Sequence, residues 1–246
     1  MNIEENEFYT EINGVFGDNL DFTFMNHGYF PIDDRLIDSD LLFKTSGTLY
    51  LRLMSFIDQQ KINSLLEIGS GRGGGISLVK GYHNIQDCHA IDYNQENIDF
   101  CRKNLRKDIQ FKQGNGLELE FPDNRFDVVI NVESSHCYLD RYDDFFKEVL
   151  RVMKDDGTFL YTDVYNSEKL ANSVYDTVRQ NFEIIYKEDS TYNAHLSCLE
   201  MSRALASIKS EPYGWYRALF EEKAEVYRQR LGVFKFYVLR KIKDSK

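Results

Sequence analysis

The stretch that most constrains this 246-residue chain is Leu65-Leu66-Glu67-Ile68-Gly69-Ser70-Gly71-Arg72-Gly73-Gly74-Gly75. A short apolar run enters it, glycines follow, and a helix-compatible segment leaves. Glycine is needed where the backbone must turn sharply and approach a ligand without a Cβ in the way. A helix starting there leaves amide donors pointing at whatever occupies the turn. About twenty residues on, Asp92 closes the next apolar run, where a carboxylate can accept hydrogen bonds from both hydroxyls of a ribose. The loop satisfies GxGxxG through Gly69, Gly71 and Gly74, and it also satisfies GxGxG. By itself it does not choose between two classes of cofactor.

The rest of the chain alternates in the same way. Strands are predicted at 62–68, 88–91, 109–112, 126–132, 159–163, 182–186 and 233–239, with Phe126-Asp127-Val128-Val129-Ile130-Asn131-Val132 the clearest. Helices are predicted at 41–57 and 72–82, from an Asn94 cap through Leu105, and at 140–153. In the last of these, Phe145, Phe146, Val149, Leu150 and Met153 share a face. Asp155-Asp156-Gly157 reads as the turn into the fifth strand. Strands alternating with helices imply an α/β fold, a Rossmann-like doubly wound, mostly parallel seven-stranded sheet. The long helical insert at 191–229 before the last strand suggests that this strand is antiparallel and that the insert caps the ligand side. Residues 1–42 are expected to form a lid, and the whole chain one domain.

Composition excludes some partners. The net charge is −10, and basic residues are outnumbered and scattered, which argues against nucleic acid. No apolar run approaches the length of a membrane span, and the acidic N-terminus lacks the order of a secretory signal. A cytoplasmic enzyme is the expectation. Cys88, Cys101, Cys137 and Cys198 show no metal-ligand spacing and read as free thiols, the first two in the core. No metal is expected.

Downstream segments narrow the cofactor. The chain resembles the class I S-adenosylmethionine-dependent methyltransferases in five ordered segments. Glu67 to Gly73 looks like their first motif, and Ala90-Ile91-Asp92-Tyr93-Asn94 is similar to their acidic second-strand end. Gly114-Asn115-Gly116-Leu117 sits where the family places Gly-Asp-Ala before its adenine contact, with Asn115 in place of the usual Asp. Phe121 to Val129 and Leu150 to Thr158 resemble the approaches to the fourth and fifth strands. The resemblance implies S-adenosyl-L-methionine as cofactor, with Tyr29, Glu67, Gly69, Ser70, Gly71, Asp92, Tyr93, Asn115, Gly116, Leu117, Asn131 and Glu133 in its binding. More narrowly, Met25 to Phe30, Asn131 to Tyr138 and Asp189 to Asn193 look like segments of bacterial methyltransferases acting on polyketide and lipid-like natural products. That branch mostly performs O-methylation and includes members recruited to pericyclic chemistry.

Methyl transfer to a hydroxyl needs a general base, and a histidine has a suitable pKa. His136 directly follows the fourth strand, at the carboxyl edge where ligands bind in open α/β sheets, and is the first choice. His195, in the insert, is the second candidate, with a substrate-lining role as the alternative. His27 could close over the cofactor with Tyr29 and Phe30. His83 reads as a surface loop residue and His89 as a strand residue. Tyr138, His195 and Trp215 are candidate acceptor contacts. The aromatic residues of the insert (Tyr192, Tyr213, Trp215, Tyr216 and Phe220) line an apolar pocket or pack on the sheet. The expected partner is a small, hydrophobic or aromatic acceptor, and a homodimer is compatible with the sequence. The rival reading is a cyclase or binding protein that retains the cofactor without methylating.

Overall fold

The sheet grows outward in both directions from its first strand. The computed structural model describes residues 3–58, 62–138, 140–209 and 211–242. Its strands are β1 (Ser64–Ile68), β2 (Asp87–Asp92), β3 (Gln110–Gln113), β4 (Phe126–Val132), β5 (Met153–Tyr165), β6 (Phe182–Asp189) and β7 (Val233–Lys241). They lie in the order β3-β2-β1-β4-β5-β7-β6. The first five pair in parallel, and β7 inserts antiparallel between β5 and β6. This is the expected Rossmann-like, seven-stranded architecture.

The helices are α1 (Ile3–Phe16), α2 (Lys44–Met54), α3 (Gly74–Tyr82), α4 (Gln95–Asn104), α5 (Tyr142–Val152), α6 (Glu168–Asn181), α7 (Thr191–Ala206) and α8 (Glu211–Arg228). Side chains alternate across each strand, so β1 sends Leu65 to one face and Leu66 and Ile68 to the other. The first face packs against α2, α3, α4, α7 and α8, and the second against α5 and α6. Consequently α3, which follows β1, and α5, which follows β4, lie on opposite faces. The chain diverges between those strands and leaves a crevice at their carboxyl ends.

Local chemistry sets the element ends. Asn94 caps α4 by accepting from the Asn97 amide, and Ser167 caps α6 through the Leu170 amide. Helix α3 starts at Gly74 rather than at Arg72, because Gly69, Gly71 and Gly73 hold φ of +73°, +53° and +74°. The turn expected at Asp155-Asp156-Gly157 is instead a bulge inside β5, where Phe126 pairs with Met153 but Val128 with Thr158. The insert is two helices, α7 and α8, packed on each other. Helix α1 was not predicted, although Phe8, Ile12 and Phe16 repeat at helical spacing, and Ile12 and Phe16 are buried. His83, expected on the surface, is only 6% exposed, because it caps the buried end of α3. All four cysteines are buried.

Helix α2 is fastened to the glycine turn. Tyr50 Oη donates to Glu67 Oε1 at 2.7 Å, and its ring lies where a Cβ on Gly75 would be. The hydrogen bond keeps the ring from swinging away, so Gly75→Ala overpacks the junction. It is expected to destabilise the protein by about 2 kcal/mol. Urea unfolding measures this, and an unchanged midpoint would refute the account.

Candidate active site

Two adjoining cavities occupy the crevice. The first is built on the turn after β1. Asp92, at the end of β2, is held by the amides of Gly71 (2.7 Å) and Asn94 (2.9 Å) and by Asn97 Nδ2 (3.1 Å). Burial raises its pKa against these donors. Ser70, Gly71, Asp92, Tyr93 and Gly116 line this cavity, with Tyr138 beside Gly116. The Ser70 hydroxyl is buried without a hydrogen-bond partner among the described residues. A donor left unmet in a glycine cradle, beside a carboxylate with lone pairs to spare, suits a polar nucleoside ligand.

Several residues singled out in the sequence act beside this cavity rather than in it. Glu67 is fully buried beneath the turn, where it accepts from Tyr50 and from the Ile76 amide. Burial pushes its pKa up to about 8. It therefore pins the start of α3. Asn131 Nδ2 donates to the Ile68 carbonyl (2.9 Å) and to Ser134 Oγ, tying the turn after β1 to that after β4. Asn115 accepts from the Leu117 amide (3.1 Å) and shapes its own turn, and neither residue lines the cavity.

The N-terminal segment roofs the cavity. Thr23, Phe24, Met25 and Asn26 line it, together with Tyr9 of α1. This segment is anchored from several sides. The Gly74 amide donates to Thr23 O, the Tyr29 amide to Thr45 O, Ser197 Oγ to His27 O and Asn193 Nδ2 to Phe30 O. Tyr29 itself points away, with Oη donating to Glu188 at 2.8 Å and its ring 4.7 Å from the Arg52 guanidinium. Burial and Glu188 push its phenol up to about 12. Tyr29 thus holds the segment to β6 and does not line either cavity.

The second cavity, of about 480 Å³, shares Tyr9, Met25 and Glu133 with the first. Its walls are largely apolar, with Phe8 and Ile12 from α1, Val164 from β5, and Tyr216, Leu219 and Phe220 from α8. His136 opens onto it from the 3-10 turn Ser135–Tyr138. Its Nδ1 lies 2.7 Å from Asp163 Oδ1, at the fully buried end of β5, and its amide donates to Oδ2 at 2.9 Å. Ser135 Oγ and the Val164 amide also donate to Asp163. In the neutral ring this hydrogen bond places the proton on Nδ1 and leaves Nε2 with the lone pair. Burial opposes the imidazolium, but the charge and hydrogen bond of Asp163 outweigh it and raise the His136 pKa well above the ordinary value.

Glu133 stands between the cavities, and its φ of +49° turns the chain out of β4. It accepts the His27 amide at 2.8 Å and lies 2.7 Å from His27 Nδ1, which is also 2.9 Å from Tyr227 Oη. His195 and Trp215 stand apart. His195 Nδ1 meets the Ala224 carbonyl at 2.9 Å and ties α7 to α8, while Trp215 is half exposed against Phe8. The aromatics of the insert divide: Tyr216 and Phe220 face the cavity, Tyr213 packs on Phe16, and Tyr192 is exposed. Sequence reasoning missed Asp163 as the partner of His136, although it lies two residues before the end of β5, much as Asp92 ends β2. It also missed Lys223, which follows Tyr216, Leu219 and Phe220 at helical spacing into the same cavity.

A family profile described as a methyltransferase domain matches residues 66–161. A fatty-acid O-methyltransferase of Mycolicibacterium smegmatis is 34% identical over an alignment of 220 residues, covering 83% of this chain and 80% of that protein. A phthiotriol/phenolphthiotriol dimycocerosates methyltransferase of Mycobacterium tuberculosis is 34% identical over 157 residues, covering 62% of this chain and 57% of that one. Among solved structures, the 4+2 cyclase SpnF matches with a TM-score of 0.73 at 20% identity, covering 96% of this chain and 95% of that chain. The cyclopropane synthase MmaA2 of Mycobacterium tuberculosis matches with a TM-score of 0.70 at 12% identity, covering 95% and 98%. These two are likenesses of fold.

Proposed function

The chain belongs to the class I S-adenosylmethionine-dependent methyltransferases, and on that premise we propose that it methylates a hydroxyl oxygen of a small, lipid-like acceptor. The observation that carries this reading is the His136–Asp163 pair opening onto an apolar cavity that adjoins the glycine cradle.

In this reading Asp92 accepts the ribose hydroxyls, and Ser70 and the Gly69–Gly71 turn hold the rest of the nucleoside. Tyr93, Gly116 and Tyr138 surround the base. Glu133 and Met25 stand where the cofactor site meets the acceptor site. When bound, S-adenosylmethionine supplies a methyl group on a sulfonium, so the protein's task is to align the acceptor and take its proton. The acceptor hydroxyl gives its proton to His136 Nε2, and Asp163 stabilises the imidazolium through Nδ1–H. Residues 1–42 act as a lid and 191–229 as a cap, with α1 and α8 supplying walls of the acceptor cavity and excluding water. The M. smegmatis relative is named for fatty acids and the M. tuberculosis relative for phthiotriol dimycocerosates, which supports a lipid-like acceptor.

The test is transfer of deuterated methyl from S-adenosylmethionine into a panel of fatty acids, long-chain alcohols and phenols, followed by mass spectrometry. Label in a methyl ether, from the alcohols or phenols, is the expected result; label only as the methyl ester of a fatty acid would overturn the hydroxyl reading. Asp92→Ala removes charged hydrogen bonds and is expected to weaken S-adenosylmethionine binding about ten- to a hundredfold, read by calorimetry. Cofactor binding without label in any acceptor class would favour the non-methylating reading instead.

A further inference from the structure

The acceptor cavity contains one charge that the protein does not match. Lys223 lines it from α8, one turn beyond Leu219 and Phe220. It forms no hydrogen bond or ion pair with any described residue. Its helix otherwise pairs its cations, Arg217 with Glu221 and Arg228 with Glu225. The other charges on the cavity wall are already satisfied: Glu133 by His27, and His136 by Asp163. Lys223 is partly exposed, so its ammonium keeps water until an acceptor fills the cavity; stripping that water is costly unless an anion meets the ammonium there. Building on the proposed function, we propose that the acceptor is a hydroxyl-bearing acidic amphiphile whose carboxylate is bound by Lys223, with its hydrocarbon body against Tyr216, Leu219 and Phe220. Lys223 is then the residue that selects acids over neutral molecules of the same length, because only an acid replaces the water lost by the ammonium.

The test uses three eight-carbon probes, octanoate, 1-octanol and octylamine, titrated calorimetrically into the full chain loaded with S-adenosylhomocysteine. A charged hydrogen bond is expected to make octanoate bind at least about tenfold more tightly than octanol. K223M is expected to bring octanoate to the affinity of octanol, and K223E to turn the preference toward octylamine. Affinity for S-adenosylhomocysteine, measured on the same samples, reports that each variant is folded. Equal affinity for octanoate and octanol in the wild type would overturn the proposal, as would an octanoate preference that survives in K223M. Failure of the underlying reading looks different. If the acid preference tracks Lys223 but no acceptor receives label, the methylation is wrong and the anion site stands. If neutral acceptors are methylated and acids are not preferred, the methylation stands and Lys223 is wrong.

Discussion

Replacing His136 with alanine is expected to slow methyl transfer to a hydroxyl about a hundred- to ten-thousandfold while S-adenosylmethionine still binds. In the proposed mechanism the imidazole is the base, and it does not line the first cavity, so loss of rate without loss of cofactor affinity is the expected signature. The pH profile gives a second reading. His136 must be neutral to take a proton, and its pKa is raised because Asp163 outweighs burial. The rate therefore climbs with pH above the ordinary histidine range and levels off only past the raised value. Asp163→Asn removes the attraction, so the midpoint falls along with the rate. Stability has the opposite sign. A folded-state pKa above the unfolded value means the ion pair's contribution is complete below the unfolded pKa and is lost as pH rises through the folded one. An acceptor oxygen that is already ionised needs no base, so a carboxylate being methylated would lose far less rate in His136→Ala. A variant that keeps the full rate on a hydroxyl acceptor would remove His136 as the base.

Arg72→Met is expected to destabilise the protein by about 4 kcal/mol, lowering Tm by roughly 10 °C. Arg72 is 1% exposed, and no carboxylate among the described residues hydrogen-bonds it. Its Nε donates to Phe22 O (2.6 Å), Nη1 to Asn13 Oδ1 (2.7 Å), and Nη2 to Gly17 O (2.7 Å) and Asn19 O (3.3 Å). The guanidinium carbon lies 3.6 Å from the centre of the Phe100 ring. Burial pulls its pKa down to about 10, which leaves it charged at neutral pH. Methionine fills much of the space but orphans those acceptors, each charged hydrogen bond contributing about 1.5–3 kcal/mol before the relieved desolvation of the ion is subtracted. The effect is also directional, because these acceptors belong to α1 and the chain leading to the roof of the cavities. Limited proteolysis between Gly17 and Phe22 should accelerate and cofactor affinity should fall. Lysine restores little, since it cannot fork to acceptors on both sides. An unchanged melting temperature would show that α1 is held by its apolar face alone.

The strands were the most legible part of the chain. FDVVINV is β4 from end to end, and Asn94 caps α4 as its side chain requires. Such features depend on contacts a few residues apart, so period and turn chemistry encode them. The glycine turn and Asp92 were legible for the same reason, since a left-handed backbone and a carboxylate at a strand end are local demands. Roles were less legible than positions. Glu67 and Tyr29 sit in recognisable motifs, yet their side chains fasten the scaffold around the cavity. His195 and Trp215 lie on the insert but do not line the second cavity: His195 on α7 meets the Ala224 carbonyl, and Trp215 is off the stripe of α8 that carries Tyr216, Leu219, Phe220 and Lys223.

What the sequence determined by itself is the succession of strands, most of the helices between them (not α1 or α6) and the chemistry of the cofactor turn. The pairing of distant groups belongs to the tertiary structure. Asp163 is 27 residues from His136, and His27 is 106 from Glu133. Each pair meets because β4 and β5 are neighbours in the sheet and because Arg72 and Glu188 hold the N-terminal segment over the switch point. A local pattern carries no information about which strand ends become adjacent, since many sheet orders bury the same apolar residues equally well. Packing of the whole sheet selects one order, and that choice turns isolated carboxylates and histidines into a site.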